Sequence, residues 1–262
     1  MTQIKENLQN INGEIVLVQL RIKLACKDDL RFQMSSQFHG ALMELVSTEF
    51  AEAMHESQLH PYAQHLEKNQ DEWFWIVAGL TEQAENSIIY DALSRQEKIC
   101  LKGHGITVAL TEKQYLEKSK EELIRQFYQE TGPRYLQIEF VSPTAFRQKG
   151  RYVFFPDMRC MYQSLMNKLD ACTENECLSD EETLEQLCRS TELVRYNLKS
   201  VHFHLEGTRI PAFVGKITLK FTGTQTMASF ANMLFTFGNF SGVGIKTSLG
   251  MGAIRILNGG ER

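Results

Sequence analysis

No run of 18 apolar residues occurs in this 262-residue chain, which excludes a conventional membrane-spanning helix. The opening residues, MTQIKENLQNINGE, hold no apolar stretch of the kind a secretory signal needs, so a cytoplasmic protein without membrane attachment is expected. Proline is scarce, at five residues, and no low-complexity tract interrupts the chain. The six cysteines, at positions 26, 100, 160, 172, 177 and 188, are scattered without the paired spacing of a zinc site. Cys172 and Cys177 come nearest, alone in an acidic stretch. Reduced thiols, no bound metal and no cofactor are the expectation.

Acid is missing from one long segment. Between Gly207 and Gly260 there is no Asp or Glu, while Arg209, Lys216, Lys220, Lys246 and Arg255 supply five cations. Residues 134–168 add six more cations against Glu139 and Asp157. Residues 170–192 reverse the balance, with eight acids against Arg189. The net charge of −4 therefore hides a basic face to which a polyanion would be attracted.

Composition otherwise suits a globular protein, 43% hydrophobic and 23% charged. Strict alternation predicts a strand over 14–25, with Val16, Val18, Leu20, Ile22 and Leu24 on one face. A helix is predicted over 36–55, then a strand at 73–78, a helix at 82–94 capped by Thr81, and strand character over 98–110 broken at Gly103 and Gly105. Residues 59–66 read as a loop. A charged helix over 112–130 leads to Gly132-Pro133, the strongest boundary signal. Beyond it the pattern gives a strand at 135–141, helices at 159–169 and 181–194, strands at 198–206 and 212–222 joined through Gly207 and Pro211, a helix at 225–235, and a strand at 253–257. The expected architecture is α+β: tandem ferredoxin-like (RRM-like) domains, antiparallel sheets with helices on one face. The expected division is 1–112, a linker helix 113–132, and 133–262.

Residues 238–252 hold five glycines in fifteen positions together with Lys246, Thr247 and Ser248. Glycine permits positive φ and lets amide N–H groups approach an anion. A mononucleotide loop would place a strand before and a helix after, with lysine following glycine. Here the order is reversed, so ATP binding and a nucleotide-dependent enzyme are disfavoured and a phosphate-rich polymer along the loop fits better.

Phe240-Ser241-Gly242-Val243-Gly244 through Leu249-Gly250-Met251-Gly252 resembles the C-terminal glycine-rich signature of the RAMP superfamily of RNA-binding proteins. Phe140-Val141-Ser142-Pro143-Thr144-Ala145-Phe146-Arg147, followed by Phe155-Pro156-Asp157, is similar to CRISPR-associated endoribonucleases that process pre-crRNA. Leu59 to Leu66 resembles a weaker form of that family's Lys-Pro-Phe segment, with His60 before Pro61 where relatives often carry lysine.

The resemblance implies metal-independent cleavage of CRISPR repeat RNA, in which the 2′-OH attacks the adjacent phosphorus and leaves a 2′,3′-cyclic phosphate and a 5′-hydroxyl. Such chemistry needs a base, an acid and a cation or donor at the phosphorane. Histidine suits the proton transfers near neutrality. His55 matches the family's acid/base position by its place after the first helix, with His60 and His65 as further candidates. The first helix offers Met43 and no tyrosine, so no helical tyrosine role carries over. RNA binding is expected at Gly242, Gly244, Lys246, Thr247, Ser248, Gly250 and Gly252, and at Arg147, Lys149 and Arg151. The competing function is a catalytically inactive module that holds crRNA in a ribonucleoprotein. Other CRISPR effector subunits and a second copy of the chain are possible partners.

Overall fold

The alternating apolar residues of Val16–Ala25 form β1, the central strand of a five-stranded antiparallel sheet. The computed structural model describes residues 16–57, 59–103, 105–129, 132–173 and 180–257. Around β1 the sheet runs β2-β3-β1-β5-β4, with β2 Tyr62–Asn69, β3 Glu72–Gly79, β4 Lys98–Leu101 and β5 Ile106–Ser119. One face of β1 (Val18, Leu20, Ile22, Leu24) packs with Trp75 and Val77 against helices α1 (Ser35–Met43) and α2 (Thr48–Glu56) and a third helix, α3. The α3 segment begins as an α-turn, Glu82–Ala84, and continues as a π-helix through Leu93.

The second half repeats the plan. Strands β6 (Tyr135–Thr144), β9 (Thr191–Leu205), β10 (Thr208–Phe221) and β11 (Ile254–Leu257) form an antiparallel sheet in the order β11-β6-β10-β9. Helices α5 (Met158–Cys172), α6 (Glu181–Arg189) and α7 (Gln225–Ser241) bury their apolar faces with it in one core. A short hairpin, β7 (Phe146–Gln148) and β8 (Arg151–Val153), leaves the sheet after β6. Between the halves lies α4, Lys120–Gln129. Two ferredoxin-like units in tandem, as the periodicity implied, follow from these strand orders. No helix among the described residues is long and apolar enough to cross a membrane.

Several local expectations are corrected. The helix expected over 36–55 is two helices, because Ser47 is extended and its hydroxyl caps the second by accepting from Phe50 N–H at 3.2 Å. The expected loop at 59–66 is mostly β2. Its inward positions are Tyr62, Gln64 and Leu66, and the glutamine interrupts the apolar alternation. The helix expected over 112–130 is confined to α4, because residues up to Ser119 extend β5 in register with β1, from Ile22↔Lys113 to Val16↔Ser119. Tertiary pairing there overrides the helical bias of a Glu/Lys-rich stretch. Helix α6 stops at Arg189, and β9 begins at Thr191. Pro211 lies inside β10 opposite His202, beyond the last residues that β10 pairs with β6, where a missing N–H is tolerated.

The glycine-rich segment is the largest departure. Its first four residues finish α7, and the remainder folds into a packed turn whose Val243, Thr247, Ser248 and Met251 are buried. Two glycines carry the geometry. Gly250 has φ 103°, and a Cβ there would stand 2.2 Å from Ser35 Cβ, in the other half. Gly252 has φ 73°, and its Cβ would stand 2.1 Å from the Val243 carbonyl oxygen. Gly252→Ala is therefore expected to destabilise the protein by about 2 kcal/mol or more, measured as a lowered midpoint in urea unfolding.

Candidate active site

The sequence that builds β2 places three aromatic or imidazole rings in a row. Helix α1 buries Ser35, Phe38, Ala41 and Leu42, which leaves His39 on its flank above β2. The Tyr62 hydroxyl lies 3.0 Å from His39 Nδ1, and the two rings are almost parallel, 9° apart. His60, just before the strand, stacks on Tyr62 at 5.5 Å between centroids and on His39 at 6.5 Å. His60 Nδ1 in turn lies 2.8 Å from Ser248 Oγ, a residue 188 positions further along the chain.

Residue 248 is held from the first half by a buried amide. Gln64 Nε2 donates to the carbonyl oxygens of Ser35 and Ser248, both at 3.0 Å, while Trp75 Nε1 donates to Gln64 Oε1 at 2.9 Å. From the second half, the buried Lys168 of α5 donates to the Ser241 and Gly242 carbonyls at 3.1 Å and to Thr247 Oγ1 at 3.2 Å. Burial pushes the Lys168 amine down to about 7, while its three oxygen partners favour the charged form.

Burial also sets the protonation of the ring cluster. Desolvation, with smaller contributions from the charges of His60 and His55, pushes His39 down to about 4. Desolvation and the charge of His55 lower His60 as well, but the backbone carbonyls of Met54 and Ser57 pull it back toward the charged form. The Tyr62 phenol is fully buried and held above its ordinary value by desolvation, so it keeps its proton.

His60 of the ring cluster lines a groove of about 390 Å³ together with Arg147, Tyr152, Lys168, Gly244 and Lys246 among others. Lys246 is exposed and left-handed, at φ 57°. Arg147 pairs with Tyr152 across the β7–β8 hairpin, which turns both toward the groove. The fold therefore brings His60, Arg147, Lys246, Gly244, Thr247 and Ser248 together. Lys149 and Arg151 are exposed at or beside the hairpin turn, outside the groove lining, with Lys149 itself a turn residue at φ 49°.

Gly242, Gly250 and Gly252 are buried and shape the turn. Most of its amides donate within the protein: Val243 to Gly252 O, Gly244 to Ser164 Oγ, Ile245 to Ala145 O, Met251 to Lys246 O and Gly252 to Pro143 O. Those N–H groups are occupied, and the cationic side chains of Arg147 and Lys246 line the groove.

His55 stands exposed in the last turn of α2, near enough to His39 and His60 to affect both electrostatically. His65 is elsewhere. It lies on the opposite face of β2 from Tyr62 and lines a second groove, of about 500 Å³, with Gln19, Arg21, Glu67 and Arg255. Desolvation and the Arg255 charge push it down to about 3. Three members of the cluster were not singled out from sequence: His39, Tyr62 and Lys168. His39 stands three and seven residues before Leu42 and Val46, so the helical period places it on the apolar side of the predicted helix and does not mark it. Nothing local marks Tyr62 or Lys168. Among the described residues no group of His, Cys, Asp and Glu is arranged to hold a metal ion.

The family model of the CRISPR-associated endoribonuclease Cas6 matches residues 138–254. A CRISPR-associated endoribonuclease Cas6 of Streptococcus thermophilus is 36% identical over 223 residues, which cover 85% of this chain and 91% of the relative. That of Mycobacterium tuberculosis is 34% identical over 227 residues, covering 85% of this chain and 71% of the relative. Among solved structures, a Cas6 (TTHA0078) product complex superposes with a TM-score of 0.76 at 23% identity, over 93% of this chain and all of that one. A RAMP protein binding different RNA substrates superposes at 0.60 and 12% identity, over 92% of this chain and all of that one. The likeness in structure supports the fold, and the likeness in sequence, running through both halves, settles the family: the chain belongs to the CRISPR-associated endoribonucleases of the Cas6 family.

Proposed function

We propose that the His39–Tyr62–His60 cluster at the end of the cationic groove cleaves CRISPR repeat RNA without a metal, by attack of the RNA's own 2′-OH on the adjacent phosphorus. One observation carries this reading. Two imidazoles that differ in their protonation bias stack with Tyr62, and one of them, His60, meets Ser248 and lines a groove with Lys246 and Arg147.

His39 is the base. Its Nδ1–H donates to the Tyr62 oxygen, whose own proton is directed at Met43 Sδ, which leaves the Nε2 lone pair for the substrate, and burial keeps the ring neutral at physiological pH. His60 is the acid. The carbonyls of Met54 and Ser57 favour its imidazolium, and an RNA phosphate in the groove would raise its proton affinity further. The 2′-OH gives its proton to His39 as its oxygen bonds to phosphorus. The bond to the 5′-oxygen breaks, and that oxygen takes a proton from His60, giving a 2′,3′-cyclic phosphate and a 5′-hydroxyl. Lys246 and Arg147 offset the charge that accumulates on the phosphorane. His60 so placed does not need to replace a lysine's permanent charge, because Lys246 supplies one in the same groove. His55 adds a nearby imidazole at the rim. His65 has no proton to move in this scheme, since β2 separates it from the cluster.

In a cleavage assay with repeat RNA, cutting is expected to persist in EDTA and to stop when the scissile nucleotide carries a 2′-deoxyribose. Cutting of the deoxy substrate would rule out attack by the 2′-OH, and tight binding without any cutting would favour the inactive crRNA-holding module. His39→Ala and His60→Ala are each expected to slow single-turnover cleavage by about 10²-fold or more while RNA affinity stays within a few-fold. Wild-type rates in either variant would remove that residue from the chemistry. Lys246→Ala is expected to weaken binding and to reduce the slope of log affinity against log salt by roughly one. An unchanged slope would take Lys246 off the phosphate path.

A further inference from the structure

Helix α5 carries a buried stripe of Met161, Leu165, Lys168, Leu169 and Cys172. A lysine within such a stripe is costly in the absence of partners, and an aliphatic residue would serve packing alone at lower cost. Lys168 is only 7% exposed, and no carboxylate contacts its ammonium among the described residues. What it does have is three oxygen acceptors with a common feature. The Ser241 and Gly242 carbonyls close α7, and the Thr247 hydroxyl belongs to the turn that follows. The ammonium thus ties the end of the helix to the residue immediately before Ser248. A cation at a helix C-terminus is also electrostatically favoured.

We propose that Lys168 is a positioning residue for the cleavage described above: it fixes the turn from Ser241 to Thr247 so that the Ser248 hydroxyl meets His60. This rests on the function proposed for the His39–Tyr62–His60 cluster. Gln64 secures the Ser248 carbonyl from the first half, but that contact leaves the side chain free to swing about the main chain. Thr247, anchored by Lys168, sets the direction in which residue 248 leaves the turn. Ser248 Oγ then stands 2.8 Å from His60 Nδ1 and fixes the plane of the imidazole. Lys168 also forms part of the groove lining together with His60 and Lys246, so the tie lies directly beneath the reacting groups rather than in a remote part of the core.

A double-mutant cycle separates positioning from general support. Lys168→Met keeps the length and apolar character of the stem while removing the donors. Single-turnover rates and RNA affinities are measured for wild type, Lys168→Met, Ser248→Ala and the double variant, with folding checked by circular dichroism. The expected result is a rate lowered about tenfold in each single variant, RNA affinity within about threefold of wild type, and a double variant no slower than the slower single. The pH–rate profile is expected to shift alike in both singles, because both release the same imidazole. Losses that multiply in the double variant, or a wild-type rate in either single, would overturn the proposal. Thr247→Val, which keeps volume and removes one acceptor, is run through the same cycle, and it decides the matter if Lys168→Met does not fold. A wild-type protein that binds but fails to cut would overturn the functional reading, and this inference with it.

Discussion

The whole site depends on how residue 248 is held between two half-molecules that share no strand. Each half is a complete ferredoxin-like unit with its own apolar core. Neither contains the ring cluster with its partner. Ser248 belongs to the second unit, yet its hydroxyl reaches His60 and its carbonyl accepts from Gln64, both in the first. Gly250 makes this possible, because any larger residue would collide with Ser35 at the start of α1. The Gln64–Trp75 hydrogen bond fixes the amide orientation in turn. A buried glutamine with every polar atom satisfied is stabilising only in one arrangement, and that arrangement is the docked one.

Charge is distributed to the same end. The acid-free segment suggests a broad basic face, but the fold spends part of it internally. Arg255 pairs with Glu67 at 2.6 Å and with Glu139 at 3.5 Å, and Lys216 pairs with Glu139 at 3.5 Å. Those contacts help join β11 to β2 and to β6. Lys246 and Arg147 have no such carboxylate partner among the described residues, and both line the groove beside His60. Lys246 and Arg147 therefore remain as local positive charge in the groove, which an acidic net charge over the whole chain does not preclude.

Strand patterning makes most of the fold legible: β1 and β6 alternate cleanly, and β3 is marked by its aromatic and β-branched residues. Where it failed, the reason was tertiary. β2 was obscured by the inward glutamine, whose partners are distant in sequence. The end of β5 was obscured by helix-favouring charges whose pairing with β1 no local pattern reveals. The site was half legible. His60, Lys246, Arg147 and Ser248 stood out by type and context, and they converge. His39 shares helical spacing with Leu42 and Val46 and so reads as part of the apolar face. Tyr62 lies on β2, a strand that the sequence pattern does not reveal. The glycine signature is plain in the sequence, and in the fold its glycines allow backbone to pass close to backbone, with most of its amides occupied by that packing.

The order of these pieces along the chain has a consequence for biosynthesis. His39, His60 and Tyr62 lie in the first third of the chain and are translated early. Ser248, and the strand β11 that seals its turn against β6, come nearly two hundred residues later. Until β11 has been made, the imidazoles of the first unit therefore lack the Ser248 contact that ties them to the second.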